Sequence, residues 1–317
     1  MCVETFNRCA ILILMTTYTK TKAKFDALGE EFRGVLIMFV AAFFFSTMGY
    51  FTKMLTAHHN AFEIVFFRNI VSFAILGVLM LMFRTDNAGG KPLLLIMRGF
   101  FGFISMFCFF YSISVLPFAT ASTFHKTSPI FTAVFAGLVL KEKSGLKVWL
   151  AILVGFAGVL LVLRPSHIDH VGAVVGLCGG IIAAMAYTSV RGLAKYYDAR
   201  TIVMSFSLAG LVGSSLYFLI RYLAGDPRYH STQFIPTGID IFYMILVGVL
   251  ALIAQWLMSV AYKYGRASVI STVNYVGIIF ATVFGYIAGD GWPGLVSMLG
   301  IFFVGASGVM VGLSRKN

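Results

Sequence analysis

Two cationic side chains, Arg68 and Lys126, lie inside stretches of sequence that are otherwise almost entirely apolar. Each lies about seven residues from the start of its stretch, which is about 10 Å deep in a helix that rises ~1.5 Å per residue. Removing a charge from water is costly unless a partner compensates it. Two cations at one depth therefore predict a positively lined cavity that binds a carboxylate or phosphate group. The alternative is that each cation snorkels to the surface or caps carbonyls that Pro129 leaves free.

Further polar side chains in apolar stretches are predicted to belong to the same substrate-binding site: His125, Tyr111, Gln255, Asn274 and Tyr275. Histidine titrates near neutral pH, so His125 is a candidate for proton coupling, although a packed neutral histidine is the simpler interpretation. Residues 125 and 126 are adjacent, and a continuous helix points neighbours about 100° apart. We therefore expect that they do not both point into one cavity.

Two other charged residues in apolar stretches are expected to be structural. Glu63 lies near the start of its stretch, where an ion pair is the simpler interpretation and Lys53 is a candidate partner. Arg98 is expected to snorkel or to tie helices together. The four cysteines lack the spacing of a metal or redox motif. The sequence therefore predicts no catalytic residue, no metal site and no cofactor.

Composition places the chain among polytopic membrane proteins. Of its 317 residues, 59% are hydrophobic and 11% are charged, and the mean hydropathy is +0.91, whereas soluble domains have about 25% charged residues. A net charge of +12 is also found in nucleic-acid-binding proteins, but here the charges form no basic domain. We therefore expect anionic lipid headgroups rather than nucleic acid as their partners.

Ten apolar stretches are close to the ~20 residues that a helix needs to cross a bilayer. The sequence thus predicts an all-α protein with ten transmembrane helices, at residues 34–53, 61–83, 92–114, 119–140, 147–163, 171–190, 201–222, 239–261, 267–288 and 294–313. Residues 1–33 are predicted to form a cytoplasmic tail, because their apolar run 9–15 is too short to span.

The distribution of lysine and arginine predicts the orientation, since these residues are enriched on the cytoplasmic side. With the N-terminus inside, 17 of the 24 lie in inner segments. Four lie outside (Lys53, Arg164, Arg221 and Arg228), and three lie within spans (Arg68, Arg98 and Lys126). Both termini are therefore predicted to be cytoplasmic.

The two halves of the chain resemble each other. A shift of 148 residues places 119–142 on 267–290 without a gap, with Lys126 on Asn274 and Pro129 on Gly277. A shift of 138 overlays the first two spans on the sixth and seventh. The predicted units, 34–163 and 171–313, have five spans each. Because five is odd, the second unit enters the membrane upside down, which predicts two inverted five-helix repeats.

Four segments carry a resemblance to a known family: FEIVFFRN (62–69), RGFFGFISMFCFFYSISVLPFATAS (98–122), TSPIFTAVFAGLVLKEK (127–143) and GFAGVLLVL (155–163). Over residues 34–313 the chain resembles the drug/metabolite transporter superfamily of the EamA type. The second half matches less well and has Asp290 where a glutamate is usual. The resemblance implies a ten-helix permease of the inner (plasma) membrane that moves amino acids, organic anions or related metabolites by alternating access.

Other functions stay open at this point. A channel would conduct without saturation, and a non-transporting receptor would bind without flux. The run Gly305–Gly308 (GASG) resembles a serine motif of intramembrane proteases, but His125 is predicted to lie about 10 Å from the depth of Ser307. The expected partners are a small-molecule substrate and the lipid bilayer. Coupling to protons or a counter-substrate, and homodimer formation, are alternatives that the sequence leaves open.

The predicted topology is tested by fusing a reporter that is active only in the cytoplasm after Asn317. We expect an active reporter, because the 17-to-4 excess of cationic residues places this end inside. The same reporter fused within the linker 223–238 is expected to be inactive. An inactive C-terminal fusion would refute both the orientation and the inverted repeat.

Overall fold

The computed structural model of the protein describes residues 29–85, 87–141, 145–162, 169–230, 234–292 and 294–313. The secondary structure of these residues consists of thirteen helices. They are α1 (Glu30–Leu55), α2 (Ala61–Met82), α3 (Pro92–Val115), α4 (Phe118–His125), α5 (Ser128–Val139), α6 (Leu146–Val162), α7 (His170–Leu193), α8 (Ala199–Leu223), α9 (Pro227–His230), α10 (Ile239–Tyr264), α11 (Ala267–Val273), α12 (Val276–Ile287) and α13 (Leu295–Leu313).

The all-helical fold confirms an α-helical membrane protein. Seven segments of the described chain are long and apolar enough to cross a bilayer: α1, α2, α3, α7, α8, α10 and the pair α11–α12. The other three predicted spans correspond to the pair α4–α5, to α6 and to α13, and they stay predictions. Most of the predicted tail, residues 1–28, lies outside the described residues.

The prediction of one continuous helix over 119–140 was wrong, because the chain breaks at Lys126 and Thr127. Pro129, at the start of α5, has no N–H to donate to the His125 carbonyl four residues earlier. The backbone tightens instead, with the Thr127 N–H on the Phe124 carbonyl at 3.2 Å, and the Thr127 hydroxyl donates to the same oxygen at 2.9 Å. The break therefore follows from local backbone chemistry.

A second break, at Asn274 and Tyr275, divides the predicted span 267–288 into α11 and α12. No proline causes it. The Tyr275 N–H reaches back only three residues to the Thr272 carbonyl, and the Gly277 carbonyl accepts from Ser46 of α1. Both breaks lie at the positions that the 148-residue shift superposes.

Long-range polar contacts define two ends of the helix bundle. At the first, the Lys53 end, Lys53 donates to the Ile113 and Leu116 carbonyls at the end of α3. At the second, the Arg191 end, Arg191 donates to the Tyr262 and Lys263 carbonyls at the end of α10. At each end a cation thus satisfies helix C-terminal carbonyls that lack partners in the helix.

Glycine allows α7 to pack directly on the first break. A Cβ atom at Gly180 would lie 2.9 Å from the Phe124 carbonyl oxygen and 3.2 Å from that of His125. These backbone oxygens cannot move away to relieve the clash, whereas the end of a flexible side chain could. The position of α7 against the break therefore depends on the absence of a side chain at residue 180.

We expect Gly180→Ala to destabilise the protein by ~1–3 kcal/mol, the usual cost of overpacking. The matched control is Gly77→Ala in α2, where a Cβ meets nothing within 4 Å. This control is expected to be neutral or slightly stabilising, because alanine is the better helix former. Thermal unfolding in detergent measures both, and equal melting temperatures for the two variants would contradict this account of α7 packing.

Candidate functional site

A cavity lies in the middle of the helix bundle, between both halves of the chain. Its polar lining includes Arg68 of α2, Arg98 of α3, His125 and Lys126 at the first break, and Gln255 of α10. Aromatic rings form much of the remaining wall: Phe45, Phe109, Phe110, Phe118 and Phe206. The cavity offers about 60 Å³ to the centres of water molecules, which is room for a few waters. In this conformation the cavity is small.

Lys126 enters the cavity from the break between α4 and α5. Its side chain lies against Gly277, where a larger residue would crowd the ammonium group. The Lys126 Nζ contacts the Asn274 Oδ1 at 3.4 Å, which joins the two breaks across the bundle. The expectation that His125 and Lys126 cannot both face one cavity was wrong, because α4 ends at His125 and the two residues do not share a regular helix.

Arg68 and Arg98 both lie close to one aromatic ring. Their guanidinium carbons are 5.0 and 4.9 Å from the centroid of the Phe206 ring, within the range of a cation–π interaction. Arg98 also donates to the Gln255 Oε1 at 3.0 Å, and Arg68 contacts the Met106 sulfur. The Nε atoms of both arginines have no hydrogen-bond partner within the described part of the chain.

His125 is held by neutral groups. The Ser105 hydroxyl donates to the Gly179 carbonyl at 3.0 Å, so its oxygen is free to accept from the His125 Nε2 at 3.0 Å. The imidazole also packs on the Phe109 ring, with centroids 4.6 Å apart. This arrangement favours a histidine whose Nε2 carries the proton and whose orientation is determined by packing.

The lining carries positive charge without a compensating carboxylate. Arg68, Arg98 and Lys126 are 2%, 1% and 8% exposed, and the described residues that line the cavity include neither aspartate nor glutamate. Buried cations without a counter-ion are costly, and anions are attracted to them strongly. Chemically, the cavity is suited to an anion with an apolar or aromatic portion.

Only some of the predicted site residues meet in this cavity. Arg68, His125, Lys126 and Gln255 line it, and Asn274 contacts it through Lys126. Tyr111 and Tyr275 lie outside the lining, Tyr111 beside Phe107 and Tyr275 in an apolar cluster with Val159 and Ile278. Arg98 was predicted to be structural, and Ser105 and Phe206 were not among the predicted site residues. The charge of Arg98 inside an apolar stretch was the one available signal.

Glu63 is paired with a residue other than the one the sequence suggested. Its carboxylate accepts two hydrogen bonds from Arg228, at 2.7 and 2.8 Å, whereas Lys53 pairs with Asp290 at 3.6 Å. The ion-pair role of Glu63 is therefore confirmed and its suggested partner was wrong. The reason is that the short helix α9, in the long linker before α10, brings Arg228 onto the start of α2.

Comparison with known proteins assigns the chain to a family. Residues 32–164 match the profile of the EamA-like transporter family. An uncharacterized transporter of Helicobacter pylori (strain ATCC 700392 / 26695) is 30% identical over 289 residues, which cover 88% of this chain and 94% of that protein. The chain belongs to the EamA-like transporter family. It is thus a multi-pass membrane protein of the drug/metabolite transporter superfamily, and a transporter of small solutes.

Other relatives of this EamA-like transporter have more specific names. The pseudopaline exporter of Pseudomonas aeruginosa (strain UCBPP-PA14) is 29% identical over 89% of this chain and 97% of its own length. The S-adenosylmethionine uptake transporter of Rickettsia bellii is 20% identical over 84% and 88%. A solved crystal structure with 17% identity superposes with a TM-score of 0.69 over 87% of this chain and 95% of that one, which supports the fold alone.

The serine of the GASG run has a packing contact. The Ser307 hydroxyl donates to the Ala151 carbonyl of α6 at 2.6 Å and is buried. Its side chain also lies where a Cβ at Gly155 would be crowded. Ser307 thus joins α13 to α6 through small residues, as is common between membrane helices, while the His125 imidazole contacts Ser105 instead.

We expect Arg68→Met to keep or raise the melting temperature in the absence of ligand, because it removes a buried charge for which the described lining residues provide no counter-ion. Glu63→Gln is the contrasting variant, since this carboxylate is paired. It is expected to cost ~1.5–3 kcal/mol, the range for hydrogen bonds to charged groups. Thermal unfolding in detergent compares the two. A larger loss for Arg68→Met than for Glu63→Gln would mean that the Arg68 charge is structurally compensated.

Proposed function

We propose that this EamA-like transporter is a secondary active carrier of small organic anions, which bind in the central cavity. One observation carries the proposal: three buried cations line the cavity, and the described lining residues include no carboxylate. An anionic ligand would supply the missing counter-charge. It would also accept hydrogen bonds from the arginine Nε atoms, which lack partners within the described residues.

The cavity favours a ligand with two chemically different parts. Arg68, Arg98 and Lys126 would bind the carboxylate or phosphate group, and Gln255 and Asn274 would orient two of these cations. The phenylalanine rings of the wall would accept an apolar or aromatic portion of the same molecule. Organic acids fit this description best. Free amino acids and S-adenosylmethionine-like metabolites share the carboxylate, but each also carries positive charge for which the described lining residues provide no carboxylate.

Transport would proceed by alternating access between two inverted repeats. The pairing of the long helices supports this repeat, since α1 packs on α10 as α3 packs on α7, and α2 packs on α8. Lys53 caps the end of α3 in the same way as Arg191 caps the end of α10. The two breaks at equivalent positions meet through Lys126 and Asn274. Opening at either end in turn would expose this small cavity to one side of the membrane at a time.

Charge distribution supports an inner-membrane location with the Arg191 end in the cytoplasm. The relatives include a named exporter and a named uptake transporter. For this chain we propose a carrier that can open at either end. The gradients of solute and coupling ion would then determine the direction of net transport. Channel activity is the competing function, and saturation of the flux separates the two.

Lys126→Gln tests the role of charge in the cavity. The ligand is the compound that raises the wild-type melting temperature most in a panel of amino acids, organic acids and S-adenosylmethionine. We expect this variant to fold and to bind the ligand roughly 10- to 150-fold more weakly, which corresponds to losing one charge-assisted hydrogen bond of ~1.5–3 kcal/mol. Lys126→Arg is expected to be intermediate, because a planar fork replaces a compact ammonium group.

The control is Lys147→Gln, which removes an exposed lysine at the start of α6 and should leave affinity unchanged. Binding is measured by calorimetry, and uptake is measured in liposomes. If Lys126→Gln lowers the melting temperature and leaves the dissociation constant unchanged, Lys126 only supports the helix break. The anion-binding proposal would then have lost one of its three cations.

A further inference from the structure

A second cluster of charged side chains lies at the Lys53 end, apart from the cavity. At its centre is His59, in the turn between α1 and α2, with a side chain that is 4% exposed. Its Nδ1 lies 3.2 Å from the Glu63 Oε2 of α2, and its Nε2 lies 3.4 Å from the Asp240 Oδ2 at the start of α10. One imidazole thus bridges two carboxylates that belong to different halves of the chain.

We propose that His59 is a proton-binding site that holds the Lys53 end of the transporter closed when it is protonated. Ionised carboxylates only accept hydrogen bonds, so each ring nitrogen must carry a hydrogen to bond to its neighbour. Only the imidazolium ion carries a hydrogen on both ring nitrogens. Loss of the proton leaves a nitrogen lone pair facing a carboxylate oxygen, which converts one attractive contact into a repulsive one.

The surroundings hold the Glu63 carboxylate in place beside His59. Glu63 is completely buried, and Asn60 forms a capping box with it at the start of α2. Arg228 binds the Glu63 carboxylate through two nitrogens, and this interaction raises the pKa of Arg228, so its charge is permanent. Burial raises the pKa of Tyr229, whose hydroxyl remains protonated and donates to Glu63 Oε1 at 3.2 Å.

The charge balance of the cluster depends on His59. The titratable and charged groups that face it come from every packed element: Glu63 of α2, Asp240 of α10, Arg228 and Tyr229 of α9, and His58 of its own turn. With His59 protonated, the two carboxylates are balanced by Arg228 and the imidazolium. Without this proton, one negative charge is unbalanced except for the exposed His58, whose Nδ1 is 3.0 Å from Asp240.

The bridge joins elements that must separate when this end opens. It connects the turn 56–60 and α2, in the first half of the chain, to α9 and α10 in the second half. The energetic coupling is direct, because opening breaks the contacts of His59 with Asp240 and of Glu63 with Arg228. That this end opens during transport rests on the proposed function, whereas the binding of a proton between the two carboxylates does not.

His125 is less suited to this role than His59. Its imidazole contacts the hydroxyl of Ser105 and the ring of Phe109, and it shares the cavity with Lys126. A proton there would add a fourth cation to a lining in which the described residues include no carboxylate. His125 was the candidate for proton coupling in the sequence. His59, whose two ring nitrogens both face acids, is the better candidate in the structure.

The test measures a distance across this end at two pH values. Spin labels are placed at the exposed positions Ala57 and Thr237 in the full-length protein, with the native cysteines replaced by serine, in lipid nanodiscs. Double electron–electron resonance is recorded at about pH 5.5 and about pH 8.5, on either side of the range in which histidine titrates. We expect a single short distance at low pH and a longer second population that grows several-fold at high pH.

Two substitutions at residue 59 should each abolish the pH response, one by favouring the longer distance and the other by favouring the shorter one. His59→Gln is neutral at both pH values and should show the longer population at both. His59→Lys carries a permanent charge with three donors and should show the short distance at both. A wild-type distance distribution that does not change with pH would overturn the proposal, and this measurement remains decisive if His59→Gln does not fold.

His58→Gln is the matched control, because His58 contacts the same carboxylate from an exposed position. It should keep most of the pH response, and loss of the response in this variant alone would assign the proton to His58 and refute the proposal for His59. Uptake into liposomes is measured in parallel. A pH-dependent distance without any uptake would contradict the proposed function and leave the proton site intact, so the two failures are distinguishable.

Discussion

Positive charge buried in a cavity whose described lining includes no acid is the constraint on which the rest of this structure depends. Arg68, Arg98 and Lys126 come from three different parts of the chain, and packing brings them to one small space in which they are almost fully shielded from water. An apolar medium makes such charges expensive. The protein partly offsets this cost with the Phe206 ring and with the side-chain carbonyls of Gln255 and Asn274. None of these groups carries a negative charge.

The two helix breaks explain how the cavity obtains polar groups in an apolar bundle. Away from its ends, a regular helix satisfies its own backbone groups and presents neighbouring side chains in different directions. At residues 126–127 the regular pattern stops, and His125 and Lys126 face the same space. Glycine at 180 and 277 allows other helices to approach the exposed backbone. At the breaks, an irregular backbone therefore positions the side chains that would bind a ligand.

Acidic residues are concentrated away from the cavity, and the Lys53 end has several of them. Glu63 pairs there with Arg228, Asp290 pairs with Lys53, and Asp240 faces His59, in contacts that join the two halves of the chain. This separation of the acidic residues from the cavity has a physical consequence. Carboxylates near the cavity would neutralise its cations and compete with an anionic solute, whereas at the end of the bundle they form pairs that can break when the end opens.

The sequence by itself determined the class of protein and the positions of most helices, and it predicted a common depth for Arg68 and Lys126. These properties depend on hydropathy, on helix rise and on residue spacing, all of which can be read along the chain. The 138-residue shift of the sequence also places Lys53 on Arg191, and in the structure these two cations cap helices at opposite ends of the bundle. Only the tertiary structure decided that Arg98 and Phe206 face the cavity, that Tyr111 and Tyr275 do not, and that Arg228 pairs with Glu63. The reason is that these helices are apolar on every side, so no amphipathic pattern marks the inward face, and packing between distant segments determines it.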